Sequence, residues 1–558
     1  KSDVDFTTRI GDFKQNEKGK LTELPFNSYA STMDEYKWDM DAETIELNQG
    51  AQLATENSYF ISKKYEQQGL KFQSTNALFD MKLGVIYANE VPHIDVADSR
   101  VFPKEGKVEI HEDADMQKLS EAKLLANRTN KYHDLFDGKI KIDGRYVLTG
   151  SASYKYKDKE NKGQKIRYTK IFVKGHGDST IIARGSVPDS SRFTVSPKIA
   201  FKGPTELKST EEDIFFNGYV KPLHSFDEYP SAWFRYRQQP DPQNVIIPAY
   251  DIRNEDREKM YAAISVANDS THIYPSLFNF KRSYADMEIT SDTGILYYDE
   301  NQKTFFVGDS MKLLEGAKKG NYLSFNDETG EIYSEGKINF GLDKDDNFNG
   351  LMAGNLSKMP RDSSFLITSL LALNVKLPEL ALYRMATVIN ENESNEAADN
   401  DNERVDKALA ELLEEKKFDK ASDYLANVGK IKPQGKLESD ILFSKINLHF
   451  SPTKRQFISR EPIHIATIKD GQVNKVIDSR IAITKRRSST RCTFYLEVSS
   501  YDWFYIDYYM GGITVASTDK EFNEIIKKEG PRMSKSKFRI RTASPRTVSL
   551  FLTKLDGE

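Results

Sequence analysis

Cysteine is almost missing from this chain: Cys492 is the single one in 558 residues. One thiol cannot make a disulfide within the chain, and neither a cysteine-based zinc site nor an iron–sulfur cluster can be assembled from it. Long hydrophobic runs are missing as well. The longest apolar patch, Phe365 to Leu373, is broken by Thr368 and Ser369, and it falls well short of the 18 or more residues that mark a spanning helix. No transmembrane span is therefore expected. An excess of charge of one sign is also lacking: the net charge is −4 and the pI near 6.2, so the electrostatic footprint of a nucleic-acid binder is not there. Metalloprotease His-Glu-x-x-His, phosphate-loop and Gly-x-Ser-x-Gly signatures do not occur. No catalytic residues are assigned, and a non-enzymatic role is expected. The chain opens at Lys1 on a polar run without Met or a leader-like stretch, and reads as a fragment or mature form.

Aromatic side chains, by contrast, are abundant. Aromatics make up 11% of the residues, with 28 Tyr and 32 Phe, a level that suits pleated, half-exposed sheets and argues against disorder. Short alternating runs recur between turn-forming residues, as in Val85-Ile86-Tyr87-Ala88, Ile94-Asp95-Val96-Ala97, Val108-Glu109-Ile110 and Ile140-Lys141-Ile142. Such spacing predicts stacked or meandering strands. The fold class that follows is mainly β, with extended stacked antiparallel strands of jelly-roll or solenoid type. A small helical segment and a compact α+β C-terminal domain come after them.

Five segments are expected. Residues 1–61 form an N-terminal segment with strands, 62–281 a β-repeat domain and 282–375 a second β region. Residues 376–436 form a helical segment with an acidic loop, and 437–558 the C-terminal domain. Within these, 157–163 reads as an exposed hairpin tip and 390–402, acidic and rich in Asn, as a mobile loop. Val405, Leu409, Leu412 and Leu413 predict one helix over 404–427. Thr518 with Glu521 reads as a capping box opening a helix over 519–528. Residues 538–555 read as one or two final strands.

Candidate ligand sites are few, and each has a plain structural alternative. Counting from Asp345, the oxygens of Asp345, Asn347 and Asn349 fall at positions one, three and five, with Gly350 at six, as in a calcium loop. Position twelve is Leu356 rather than Glu, and an Asp/Asn-rich turn gives the same letters. Calcium is the one cofactor considered. Trp503, Tyr505 and Tyr508 supply aromatic surface for a sugar, but their alternation is also that of a core strand. His93 and Asp95 share a strand face, with Asp98 nearby, which offers a metal site or a carboxylate pair as well as ordinary surface polarity. Lys527 to Arg546 is strongly basic, so it could meet an anionic surface or be the solvated side of a terminal hairpin.

Several stretches together carry a resemblance: Ala97-Asp98-Ser99-Arg100-Val101-Phe102-Pro103, Gly106-Lys107-Val108-Glu109-Ile110, Tyr132-His133, the strands from Ile140 to Tyr156, and Ala516 to Asn523. They resemble large cell-envelope proteins of the Bacteroidota. The strand–small residue–turn grammar of residues 44–342 is also similar to the OstA-like proteins that form lipopolysaccharide bridges. The resemblance implies a periplasmic or outer-membrane-associated location and partners among other envelope proteins. It further implies a groove for acyl chains, and so lipid, lipopolysaccharide or glycan binding as the alternative to a purely structural scaffold. Asp-Ser/Thr-apolar patterns at Ser179, Ser270 and Ser310 fit O-glycosylation in that group.

Overall fold

A computed structural model describes residues 2–17, 20–50, 57–160, 162–175, 179–342, 346–358, 365–400, 402–485, 490–534 and 538–557. It is mainly β, 49% strand against 16% helix, so β pairing and not helix packing organises the chain. Two compact units are present. The first holds Lys1–Val220 and Arg235–Val245, the second Lys221–Phe234 and Ile246–Glu558.

In the first unit, successive hairpins go alternately to two sheets. Ser2–Asp5 with Ile10–Lys14, Glu35–Asp39 with Thr44–Asn48, and Asn76–Asp80 with Val85–Asn89 lie in one seven-stranded sheet. The intervening pairs, from Thr22–Leu24 with Tyr29–Ser31 to Ile94–Val96 with Ser99–Phe102, belong to a fifteen-stranded sheet. From Leu119 onward the chain stays in the second sheet as an antiparallel meander. The turns of the first sheet share one chemistry. Asp5, Asp39 and Asp80 each end a strand and accept backbone N–H groups from their own turn, as in Thr7 N to Asp5 Oδ1 at 2.7 Å and Leu83 N to Asp80 Oδ1 at 2.9 Å. Four residues after each Asp the chain enters the left-handed region, at Arg9, Glu43 and Gly84, which re-enters the returning strand. Asp299 and Lys303 repeat the device in the second unit.

Register makes the core continuous. In the larger sheet, Phe60, Phe72, Ile94, Val101, Leu124, Leu135, Tyr154 and Ile166 stand opposite one another strand after strand. Between strands, aligned apolar side chains are the stabilising contact. Phe60 and Phe72 stack at 5.6 Å with Tyr29 beside them, and all three are buried.

The second unit is built on one long sheet that runs from Ile247–Ala249 at one edge to Arg539–Thr542 at the other, antiparallel except for the last pairing. Segments expected as separate (282–375, 376–436 and 437–558) therefore contribute to a single structure. Helices α1 (Ser310–Glu315), α2 (Glu379–Glu391), α3 (Asn402–Leu412), α4 (Glu415–Val428), α5 (Lys520–Met533) and α6 (Pro545–Asp556) pack around it. Helices α2, α3 and α4 all lie between Leu366–Val375 and Ile441–Ser451, two strands that are paired with each other.

Four local expectations need correction. The single helix over 404–427 is two, because Glu414 is extended (φ −74°, ψ 150°) and caps α4; the break lets Ala421 and Leu425 turn back into the cluster that holds Val405 and Leu409. The loop read as mobile is tied down in its 395–398 part: Ala398 N donates to Asn474 O, Val476 N to Glu396 O, and Lys475 Nζ to Asn395 O. The cap of α5 is Asp519, which accepts from Phe522 N, and not Thr518. Most of the expected final strands is helix α6, opened by Ser544 accepting from Thr547 N with Pro545 in the first turn. Its inward stripe is the buried Val548 and Leu555 with the half-buried Phe551 and Leu552, at helical spacing. The basic stretch from Lys527 is thus helix, strand and helix rather than a hairpin.

Candidate binding pocket

Helix α3 has two working sides. Val405, Ala408, Leu409, Leu412 and Leu413 bury against Ala353, Leu370, Ala372 and Leu442 on the sheet. Glu403, Arg404, Lys407 and Glu411 line a cavity of about 450 Å³ over the same sheet face, within the usual range for small-ligand sites.

The floor of this cavity is set by register. Glu335, Asn355, Thr368 and Asn447 stand directly opposite one another on four adjacent strands, and a period of two puts Tyr333 on the same face as Glu335. The row beside it is apolar (Ala353 opposite Leu370) and takes the apolar side of α3. Apolar rows thus meet the apolar helix stripe, and the polar row meets the charged one. Lys445, two residues before Asn447 and so on the same face of its strand, adds a cation to the cavity wall.

Beneath the row lies a buried ion pair. Lys312, carried by α1, sits 2.6 Å from Glu335 Oε1, with the two side chains 6% and 8% exposed, so the pair is held out of water. Helix α1 is fixed by Asp309, which caps Met311 N and Lys312 N. Tyr333 donates its hydroxyl to Glu335 Oε2 at 3.0 Å. Lys407 lies 3.5 Å from the same oxygen and 2.9 Å from Glu403. Burial pushes the Glu335 carboxyl up, but Lys312, Lys407 and Tyr333 outweigh it and hold the group below the usual carboxylate range. Glu411 accepts from Gly320 N, and Arg404 donates to Ser444 O at 3.0 Å. Asn447 donates to Glu461, which also meets His449 Nε2 at 3.0 Å. Among the described lining residues, Lys312, Arg404, Lys407 and Lys445 balance Glu335, Asp399, Glu403 and Glu411, and the uncharged polar groups of Tyr333, Asn355, Thr368 and Asn447 stand between them.

The residues singled out from sequence lie elsewhere. Asp345 is outside the described residues, as are residues 176–178 of the Gly-His-Gly-Asp string. Asn347 Oδ1 accepts from Lys376 Nζ, and Asn349 Oδ1 from Asn374 Nδ2, both at 2.9 Å, so these two oxygens serve protein donors. Among the described residues no group of three or more His, Cys, Asp or Glu side chains is placed to hold a metal ion. Tyr508 stacks on Phe348 at 4.4 Å, Tyr505 packs on Phe551 at 5.7 Å, and Trp503 leans on Tyr495 at 5.7 Å. These are core contacts, and the rings do not form an open platform. Tyr505 does reach the wall of a second cleft.

Asp95 is the hub of an ion network: Arg100 binds it twice (2.8 and 3.1 Å), Arg128 at 2.8 Å, and His93 lies 3.8 Å away. Burial raises its carboxyl, but the two arginines outweigh this and hold it low. Asp98 instead accepts from Ser179, so the two carboxylates have separate partners. Ser179 and Ser270 are buried and their hydroxyls are engaged, with Asp98 and Lys485 O; in the folded chain neither is open to a glycosyl donor. Ser310 is half-buried at the start of α1.

Sequence reasoning missed the pocket. Its helical half was visible as Glu403, Lys407 and Glu411 at steps of four, but its floor is scattered from 335 to 447 and meets only through strand pairing. No protein-family model matches the chain, and no curated protein matches it.

Proposed function

We propose that this chain is a non-enzymatic component of the bacterial cell envelope, a β scaffold that binds a short neutral glycan in the pocket beneath α3. One observation carries the reading: the polar row Glu335–Asn355–Thr368–Asn447 faces a helix side on which, among the described residues, Glu403 and Glu411 are matched by Arg404 and Lys407. Sugar hydroxyls donate and accept at once, and a wall of alternating donors and acceptors without net charge matches them. A fatty acyl chain would leave these groups desolvated and unpaired, at a cost of about 1–3 kcal/mol each. Because Glu335 is held ionised by lysines, it is suited to accepting hydrogen bonds more than to transferring protons. The envelope setting is supported by the resemblance to Bacteroidota envelope proteins, and the hairpins shared alternately between two sheets suit the stacked-strand architecture that goes with it.

The test is native mass spectrometry of the full chain after incubation with a panel of neutral oligosaccharides, followed by calorimetry on any that bind. A saturable oligosaccharide adduct, weakened at least tenfold by Asn355→Leu or Asn447→Leu, is expected. If no oligosaccharide binds, or if both variants bind as the parent does, the glycan reading fails. Defined protein partners without an adduct would then favour the purely structural scaffold, and co-purifying lipid the carrier.

A further inference from the structure

A second cleft in the same unit has a different chemistry. It measures about 1020 Å³ and lies against α6. Its apolar surface is the exposed Leu550 and half-buried Phe551 of α6, backed by Tyr505 and Ala482, which are themselves buried, and Lys454, Arg455 and Lys554 also line it. Arg491 also reaches it but is matched by Asp507 through two contacts of 2.9 Å. Asp269 is the one carboxylate among the described lining residues, and its Oδ1 already takes Thr271 N and Oγ1 at 3.0 and 2.6 Å. Lys454 donates to two carbonyls at the end of α6, Leu555 O and Gly557 O, and among the described residues these neutral groups are its hydrogen-bond partners. Arg455 sits at the tip of the hairpin between Ile441–Ser451 and Gln456–Ser459, in the left-handed region. Lys554 projects from the last turn of α6. Among the described lining residues, three cations, Lys454, Arg455 and Lys554, thus stand against the one carboxylate of Asp269, in a cleft that Leu550 and Phe551 also line.

We infer that this cleft binds a phosphorylated amphiphile, with the phosphate between Arg455, Lys454 and Lys554 and the apolar body against Phe551 and Leu550. Phosphate is the head group that lysine and arginine recognise through charge-assisted hydrogen bonds. The apolar wall, in turn, gains from covering an apolar body and not a sugar. Helix α6 is well placed to form this wall. Its C-terminal carbonyls are clasped by Lys454 and Arg460, and Asp556 by Arg480. The site is separate from the pocket under α3 and does not depend on the glycan reading.

The same chemistry can come from a membrane lipid or from a soluble organophosphate, and the experiment separates them. Binding of the full chain is measured by Trp fluorescence with dihexanoyl phosphatidic acid below its micelle concentration. It is also measured by co-sedimentation with phosphatidylcholine vesicles with and without phosphatidic acid, while inorganic phosphate serves as the head group alone. Saturable binding of the short-chain lipid, weakened at least tenfold in Arg455→Gln/Lys554→Gln and in Leu550→Ser, is the expected result. Binding of that kind without vesicle capture assigns the site to a soluble ligand, and capture that needs phosphatidic acid and the same residues assigns it to a membrane lipid. Three results overturn the proposal: no binding to either, binding unchanged in these variants, or inorganic phosphate binding as tightly as the lipid. Arg455 and Lys554 are exposed, and unchanged far-UV spectra of their variants would separate lost binding from lost fold.

Discussion

Replacing Lys312 by Met tests how the pocket floor is held. In the native chain the Lys312 ammonium is 2.6 Å from Glu335, and both side chains are almost wholly buried. Removing one member of a buried pair leaves the other charge without its main partner, which costs about 3–5 kcal/mol. Glu335 would still have the Tyr333 hydroxyl at 3.0 Å and Lys407 at 3.5 Å, so the lower end of that range is expected, about 3 kcal/mol for Lys312→Met. Removing both charges in Lys312→Met/Glu335→Leu should restore much of the loss, giving a coupling energy of about 2 kcal/mol between the two sites. Urea unfolding followed by Trp fluorescence reports on this unit through Trp233 and Trp503. The pH dependence adds a second reading. A carboxyl held low in the folded state stabilises it above the unfolded carboxyl pKa, and that contribution is lost as the pH falls through the folded value. The gap between parent and Lys312→Met should therefore be full at pH 7 and close below about pH 4.5, the ordinary value for glutamate. Single-variant losses under about 1 kcal/mol, or a double variant whose effect is the simple sum, would refute the argument that the pair is a desolvated unit.

Two further outcomes are expected. Asp292 is fully buried and its carboxyl is pushed well above the ordinary range by desolvation, with the Glu411 charge adding to the shift. Its stabilising contribution is complete below about pH 3.8 and falls as the pH rises, so Asp292→Asn should gain on the parent by up to about 1.4 kcal/mol per pH unit above that point. A melting-temperature difference that stays flat from pH 4 to pH 8 would contradict this. Cys492 is buried and its thiol is pushed up by desolvation, so an aromatic disulfide reagent should leave the native chain unlabelled and react with one equivalent in urea; rapid labelling in native buffer would show the site to be open.

Much of the β architecture was legible because strand alternation is a local signal. Val85–Asn89, Ile94–Val96, Val108–Ile110 and the hairpin closing at Lys157 opposite Gly163 all stand where their residue patterns put them. Helix α6 was missed although Val548, Phe551, Leu552 and Leu555 have helical spacing, since Val, Phe and Leu in a short segment suit either state. The break at Glu414 was hidden because its cause is tertiary: α4 must fold back over the cluster that α3 already occupies. The candidate site was the least legible part. Glu335, Asn355, Thr368 and Asn447 look like ordinary strand polarity when taken one at a time, and only strand register makes them a row. The Tyr505 and Tyr508 rings, conspicuous in sequence, are occupied by Phe551 and Phe348.

Sharing hairpins between two sheets in turn has a consequence for how such a chain can change length. From Ser2 to Phe102 each hairpin extends whichever sheet its predecessor skipped, as when Glu35–Asp39 joins Ile10–Lys14 across the intervening pair. Duplicating or deleting one hairpin would hand every later hairpin to the opposite sheet and set its apolar rows against the wrong partners. Two hairpins gained or lost together would keep both sheets in step. Within this alternating stretch the scaffold keeps its rows matched by lengthening or shortening in even steps, like a zip that must close both rows of teeth at once.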